Sequence, residues 1–189
     1  MSIVRLHRDV VGEDGRRQFE YREAWVEPDG GPFVVHHGRV GHVGTVAEQP
    51  LTSPEEGQEL LTAFAAQGEA EGFTPLAEDT LEVVEVAYRL RGRTPSSIER
   101  RHAQTLREEL THQLAWRALG EVVDVVDGED ALVLVVRTPH AAKAIAEVPA
   151  AARRADGVQP NKVEARRAAA PAADDDGRSP AVASDGEDR

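Results

Sequence analysis

The 189-residue sequence predicts an α+β protein of two small modules followed by an acidic tail. Three observations lead there. Short apolar runs alternate with glycine-rich turns over the first third. Three pairs, Ser53-Pro54, Thr94-Pro95 and Thr138-Pro139, each stand at the head of a run with helical periodicity. Beyond Arg167 the composition shifts to Ala, Pro, Asp, Ser and Gly, with almost nothing apolar to bury. The boundaries follow: residues 1–76 form a small antiparallel sheet with one packed helix, residues 79–167 a β-α-β-β-α-(β) sandwich, and residues 168–189 a tail expected to be disordered, because it cannot offset its ordering entropy.

In the first module Ile3-Val4-Arg5-Leu6 reads as a strand and Gly12-Glu13-Asp14-Gly15 as a turn. Phe19, Tyr21, Ala24 and Val26 fit a second strand with a period near two. Pro28-Asp29-Gly30-Gly31 is a strong turn signal, since Asp and Gly supply the backbone freedom of a tight reversal. Phe33-Val34-Val35-His36-His37 is the third strand, and a glycine-punctuated corner, Gly38 to Gly44, leads into Thr45-Val46-Ala47. A helix follows, capped by Ser53, with Pro54 at its first position and Glu56 completing a capping-box pattern. Leu60, Leu61, Phe64 and Ala65 form its apolar stripe, and Gly72 closes it.

The second module opens on Leu81 to Leu90, a strand rich in β-branched residues. A long helix follows. Either Thr94 caps it with Pro95 at its first position, or Ser96 caps it with Glu99 closing the box. Ile98, His102, Leu106, Leu110 and Leu114 recur every four residues and form the stripe expected to face a sheet. Val122 to Val126 and Ala131 to Val136 flank Asp127-Gly128-Glu129-Asp130, a hairpin with a four-residue loop. Thr138-Pro139 opens a shorter helix through Ala141, Ala142, Ile145 and Val148, and a last strand is expected between Val158 and Ala165. That order of elements is the ferredoxin-like one.

Composition narrows the function classes. No cysteine is present, which excludes disulfides, thiol chemistry and cysteine-ligated zinc and suits a reducing cytoplasm. The longest apolar runs fall far short of the roughly 20 residues of a membrane span, and no secretory signal is visible at the N-terminus. A cytoplasmic protein without membrane contact is the expectation. Net charge is −12 and unevenly spread: residues 1–75 carry 13 acidic and 6 basic side chains, residues 76–167 carry 15 and 14, and the tail carries 6 and 2. Nucleic-acid affinity rests largely on Lys and Arg neutralising phosphates, so the acidic first module disfavours nucleic acid as partner.

Phe19-Glu20-Tyr21, Phe33 through Gly41, Gly44 and Ala70-Glu71-Gly72-Phe73 together resemble the WGR domain, named for a Trp-Gly-Arg triplet on its central strand. Tyr88-Arg89, Arg100 through Ala103, Leu106, Leu114-Ala115-Trp116 and Leu119-Gly120 are similar to a ferredoxin-like module that follows WGR-like domains in uncharacterised actinobacterial proteins. The resemblance spans about residues 3–167. In WGR domains of DNA-dependent poly(ADP-ribose) polymerases, the Trp and neighbouring basic residues meet a DNA end. Here His37 stands for the Trp, only Gly38 and Arg39 carry over, and Glu69 and Glu71 replace the basic residue near the helix end. The resemblance therefore implies the fold more than it implies DNA binding.

For chemistry, His36, His37 and His42 cluster near the glycine corner, but adjacent strand residues point to opposite faces, so His36 and His37 do not share an ion. A set of His37, His42 and Glu48 needs the corner to fold back; half-buried strand histidines are the simpler reading, and no metal or cofactor is expected. Arg39 projects past Gly38 with a fork suited to phosphate or carboxylate, the alternative being an ion pair with Glu20, Glu23 or Glu48. In the second module Arg101 and His102 are a candidate site, against a packed His102 on the helix stripe, and Trp116 reads as core with an indole N–H wanting a partner. Gly38 to Gly44 lacks the Lys-Ser/Thr and following helix of a phosphate loop, and no nucleophile-base pair is favoured by spacing. The expectation is a non-catalytic interaction or adaptor protein presenting His37, Gly38, Arg39 and His42 to a protein partner. The alternative is a small-molecule sensor or regulatory homodimer acting through the ferredoxin-like module.

Overall fold

The computed structural model describes residues 3–27 and 31–169. Along the chain come β1 (Ile3–Val11), β2 (Arg17–Val26), β3 (Phe33–Arg39), β4 (Thr45–Gln49), α1 (Pro54–Ala70), β5 (Glu82–Arg89), α2 (Ser97–Ala115), β6 (Glu121–Asp127), β7 (Ala131–Thr138), α3 (Ala141–Arg154) and β8 (Val163–Arg167). Single turns of 3-10 helix precede β5 and β8. The expected turn at Pro28-Asp29-Gly30 and the tail from residue 170 onward lie outside the described residues.

Two four-stranded antiparallel sheets make the α+β fold, ordered β1-β2-β3-β4 and β6-β7-β5-β8. The first is a meander in which every strand pairs with its chain neighbour. Its middle is buried on both sides. On β2, Ala24 turns to the α1 side, in one apolar cluster with Phe33 and Leu61, while Tyr21 turns to the other side and joins the core of the second sheet. That is why the period-two pattern blurs here: Leu6 and His7, adjacent on β1, are both buried.

Ser53 caps α1 and its hydroxyl accepts from the Glu56 amide, as expected. The reciprocal half of the capping box is absent. Glu56 Oε2 instead accepts from the Thr52 amide at 2.7 Å and the Thr52 hydroxyl at 2.6 Å, one residue earlier in the chain.

The second sheet places β5 and β7 at its centre with α2 and α3 on one face, the ferredoxin-like arrangement of a split β-α-β unit. Leu106, Leu110 and Leu114 of α2 are fully buried, each contributing about 1.5–3 kcal/mol of burial. Ile98, expected on the same stripe, is 55% exposed. It stands in the first turn, where the side turned to the sheet is held by Glu99 and then Ala103. Of the two caps read from the sequence, Ser96 is the real one, with both halves of the box formed by Glu99. The β6–β7 loop is one residue shorter than expected, because Asp127 stays in the strand and the Gly128 amide bonds to Ala131 O. The last strand begins at Val163, later than the Val158 expected, after a turn of 3-10 helix at Pro160–Lys162.

α3 is capped differently from its sequence pattern. The Thr138 hydroxyl accepts from the His140 amide at 3.1 Å, but the first helical amide, Ala141 N–H, donates to the Glu82 carboxylate at 2.7 Å. A side chain 59 residues away in sequence thus satisfies the helix terminus. The two sheets meet at the turn after α2. There the Gly41 amide bonds to Arg117 O at 2.8 Å, and Lys143 Nζ donates to Val40 O at 2.5 Å. Gly120, at φ 93°, lets this turn press on β7: a Cβ would sit 1.9 Å from Arg137 O.

Candidate functional site

Period-two alternation puts Phe33, Val35, His37 and Arg39 on the α1 side of β3. α1 covers only the first half of that row, where Leu60 and Phe64 pack with Phe33 and Val35. A groove of about 380 Å³ remains between helix and sheet, lined by these four residues with Arg22 and His37. His37 and Arg39 are exposed, and so is His42 in the turn beyond. Gly38 packs on Tyr21 and Gly44, so a Cβ there would lie 3.1 Å from the Gly44 Cα.

None of the three carboxylates considered as partners for Arg39 pairs with it among the described residues. Glu20, its cross-strand neighbour, is held by Arg8 at 2.6 Å. Glu23 faces the other side of the sheet, with Arg5 and His36. Glu48 pairs with Val34 in register and so also lies on the far face. Arg22 is less free, bonded to Glu71 at 2.5 Å with its guanidinium 4.4 Å from the Phe73 ring. Glu71, at the C-terminal end of α1, thus anchors an arginine. Among the described residues no group of three or more His, Asp or Glu could hold a metal ion.

On the opposite face His36 is buried, not half-exposed like an ordinary strand histidine. Its Nε2 lies 2.8 Å from the Tyr21 hydroxyl and its Nδ1 3.3 Å from Glu23 Oε2, whose other oxygen is 3.2 Å from Arg5 Nε. One tautomer satisfies the whole chain: Tyr21 O–H donates to Nε2, and Nδ1–H donates to Glu23. Burial, and after it the charge of Glu23, push the Tyr21 phenol up in pKa. Gly44 makes room for the network, since a Cβ would sit 2.1 Å from the Tyr21 hydroxyl. Tyr21, at one end of this network, is only 1% exposed, while Glu23 at the other end lines the cleft between the sheets. Cross-strand register assembles the network, and the sequence alone does not display register.

Trp116, expected in the core, is 38% exposed and lies at the joint between the sheets. Its indole N–H finds a partner in His112 Nε2 at 2.8 Å, and its ring meets His36 edge-on at 5.3 Å. Beside this joint a cleft of about 310 Å³ opens between the sheets, lined by Arg5, His7 and Glu23 on one side and by Arg137, Leu81 and Val123 among others on the second. His7 Nδ1 is buried with no bonding partner among the described residues. Burial first, then the charge of Arg5, lower its pKa to about 4, so it is neutral at pH 7. His7 carried no sequence signal, since it stands one residue past the strand read at Ile3 to Leu6.

Arg101 and His102 do not share a site. His102 Nδ1 lies 3.0 Å from the Tyr88 hydroxyl, its ring packs over Gly157, and it lines a hollow of about 200 Å³ with Glu99 and Lys162. Arg101, exposed, is not among the residues of that hollow. Among the described residues no helix is long and apolar enough to cross a membrane. In comparisons with family models, with curated proteins and with solved structures, the chain finds no match.

Proposed function

We propose that the protein is a non-catalytic adaptor whose first sheet is a degenerate WGR-like recognition module. Its ligand is a protein segment with apolar side chains and an adjacent carboxylate. The observation that carries this reading is the half-covered row on β3. Phe33 and Val35 line an open groove against α1, and the row runs on into His37 and into Arg39, which makes no ion pair among the described residues. An apolar anchor in the groove and a carboxylate on the arginine fork are what such a row recognises. The 13 acidic and 6 basic side chains of residues 1–75 favour protein over nucleic acid.

The test is a photo-crosslinker placed at position 37 and exposed to extract of the native cell, with and without nuclease. Nuclease-resistant protein adducts that disappear in Arg39→Glu and in Phe64→Asp are expected. Adducts abolished by nuclease, or an adduct pattern unchanged in both variants, would overturn the reading. Mobility shift of blunt, nicked or single-stranded DNA at low salt, lost in Arg39→Ala, would replace it with nucleic-acid binding.

A further inference from the structure

The face of the second sheet turned away from α2 and α3 has a distinct charge layout. Strand register fixes it, since residues paired across strands share a face. One row across the sheet reads Asp124, Val135, Glu85, Arg166, and the next reads Val126, Val133, Ala87, Glu164. Val83 adds to the apolar middle, paired with Arg137. Val126 is 41% exposed, and Val83, Val133 and Val135 at the centre are half-buried and belong to neither apolar cluster. The two edges of this face differ in charge. The β6 edge presents Glu121 and Asp124, whereas the β8 edge presents Arg166 beside Glu164. Arg167, paired with Val84, and Lys162, 4.0 Å from Glu99, lie on the helix side.

We propose that this face is the contact between two copies of the chain, stacked about a two-fold axis that runs parallel to the strands through the middle of the sheet. Such an axis exchanges the edges, so Asp124 of each copy lies over Arg166 of the partner subunit. The charged row then pairs at both of its ends, with Val135 and, in the next row, Val133 and Ala87 between them. Arg166 already holds Glu85 of its own chain at 2.7 Å, so its fork bridges that carboxylate and the partner subunit's Asp124. A two-fold axis perpendicular to the strands would instead lay acidic edge on acidic edge and is repelled. Pairing β6 edgewise with β8 of the next copy would satisfy the charges but would never close, giving open chains. Only the stack with the axis along the strands both pairs the charges and stops at two. It is separate from the groove on α1 and would make the adaptor bivalent.

Sedimentation velocity on the full chain tests this, at low salt and over a concentration series up to about 100 μM, a range suited to transient interfaces. A dimer is expected, weakened by salt. Asp124→Arg alone and Arg166→Asp alone should each weaken it by about tenfold or more, while the double exchange Asp124→Arg/Arg166→Asp should restore it. Both residues are exposed, and circular dichroism confirms that each variant folds. A monomer throughout the series, mass growing beyond two copies, single variants that dimerise normally, or a double variant that stays monomeric would each overturn the proposal. None of these outcomes depends on whether the groove binds a partner.

Discussion

His7 illustrates how one buried side chain makes stability depend on pH. Its imidazole is neutral in the folded chain, with a pKa of about 4 against about 6.5 when unfolded. Between those values the unfolded chain binds a proton that the folded chain refuses, so stability falls as pH drops from about 6.5 toward about 4. The loss is on the order of 2–3 kcal/mol at the lower limit. Urea denaturation at steps from pH 7 to pH 4.5 should show this slope, and His7→Gln should flatten it. A slope unchanged in that variant would assign the effect to other groups. Carboxylates held low, such as Asp9 beside Arg17, add their own loss at more acidic pH.

Among the elements, α2 depends most visibly on a single terminus. Glu99 accepts from the Ser96 amide at 3.0 Å, the Ser96 hydroxyl at 2.7 Å and the Arg91 amide at 2.8 Å. These bonds, led by the Ser96 amide, bring its pKa to about 2. Glu99→Ala should lower stability by about 1–2 kcal/mol and speed hydrogen exchange at the Arg91 and Ser96 amides. Glu99→Gln, which keeps the acceptor oxygen, should lose less. Equal exchange rates in wild type and Glu99→Ala would contradict this role. Legibility in the sequence followed the same division. The Ser96 box, the Ser53 cap and the leucine stripe of α2 are set by residues three or four apart, so local spacing displays them. The Glu82 cap of α3, the Glu23–His36–Tyr21 chain and the exposure of Trp116 depend on strands meeting far apart in sequence. Glu56 shows the limit even locally, for Thr52 outcompeted Ser53 for its carboxylate. The candidate surface was half legible: Arg39 and His37 stand on one row as alternation requires, but the groove beside them needed the placement of α1.

At the scale of the whole molecule one buried cluster joins the two modules, with Tyr21 of β2 and Val40 just past β3 beside Leu114 of α2, Leu119 in the turn after it and Ala144 of α3. Separating them would expose this cluster and break the Gly41–Arg117 and Val40–Lys143 bonds. Unfolding should therefore be a single transition. Trp25 on β2 and Trp116 at the joint make it measurable: in Trp25→Phe, thermal melts followed by Trp116 fluorescence and by far-ultraviolet circular dichroism should coincide. Two resolved transitions would show that the sheets melt independently. The burial of the first sheet on both sides has a longer consequence. Adjacent residues such as Leu6 and His7 are each committed to a different neighbour, so drift at one cannot be absorbed by a solvent-facing side of the same strand. In descendants of this chain, substitutions should accumulate at the Glu13–Arg16 tip and along Thr45–Gln49, while the middle of β1, β2 and β3 changes slowly and in concert with whatever touches it.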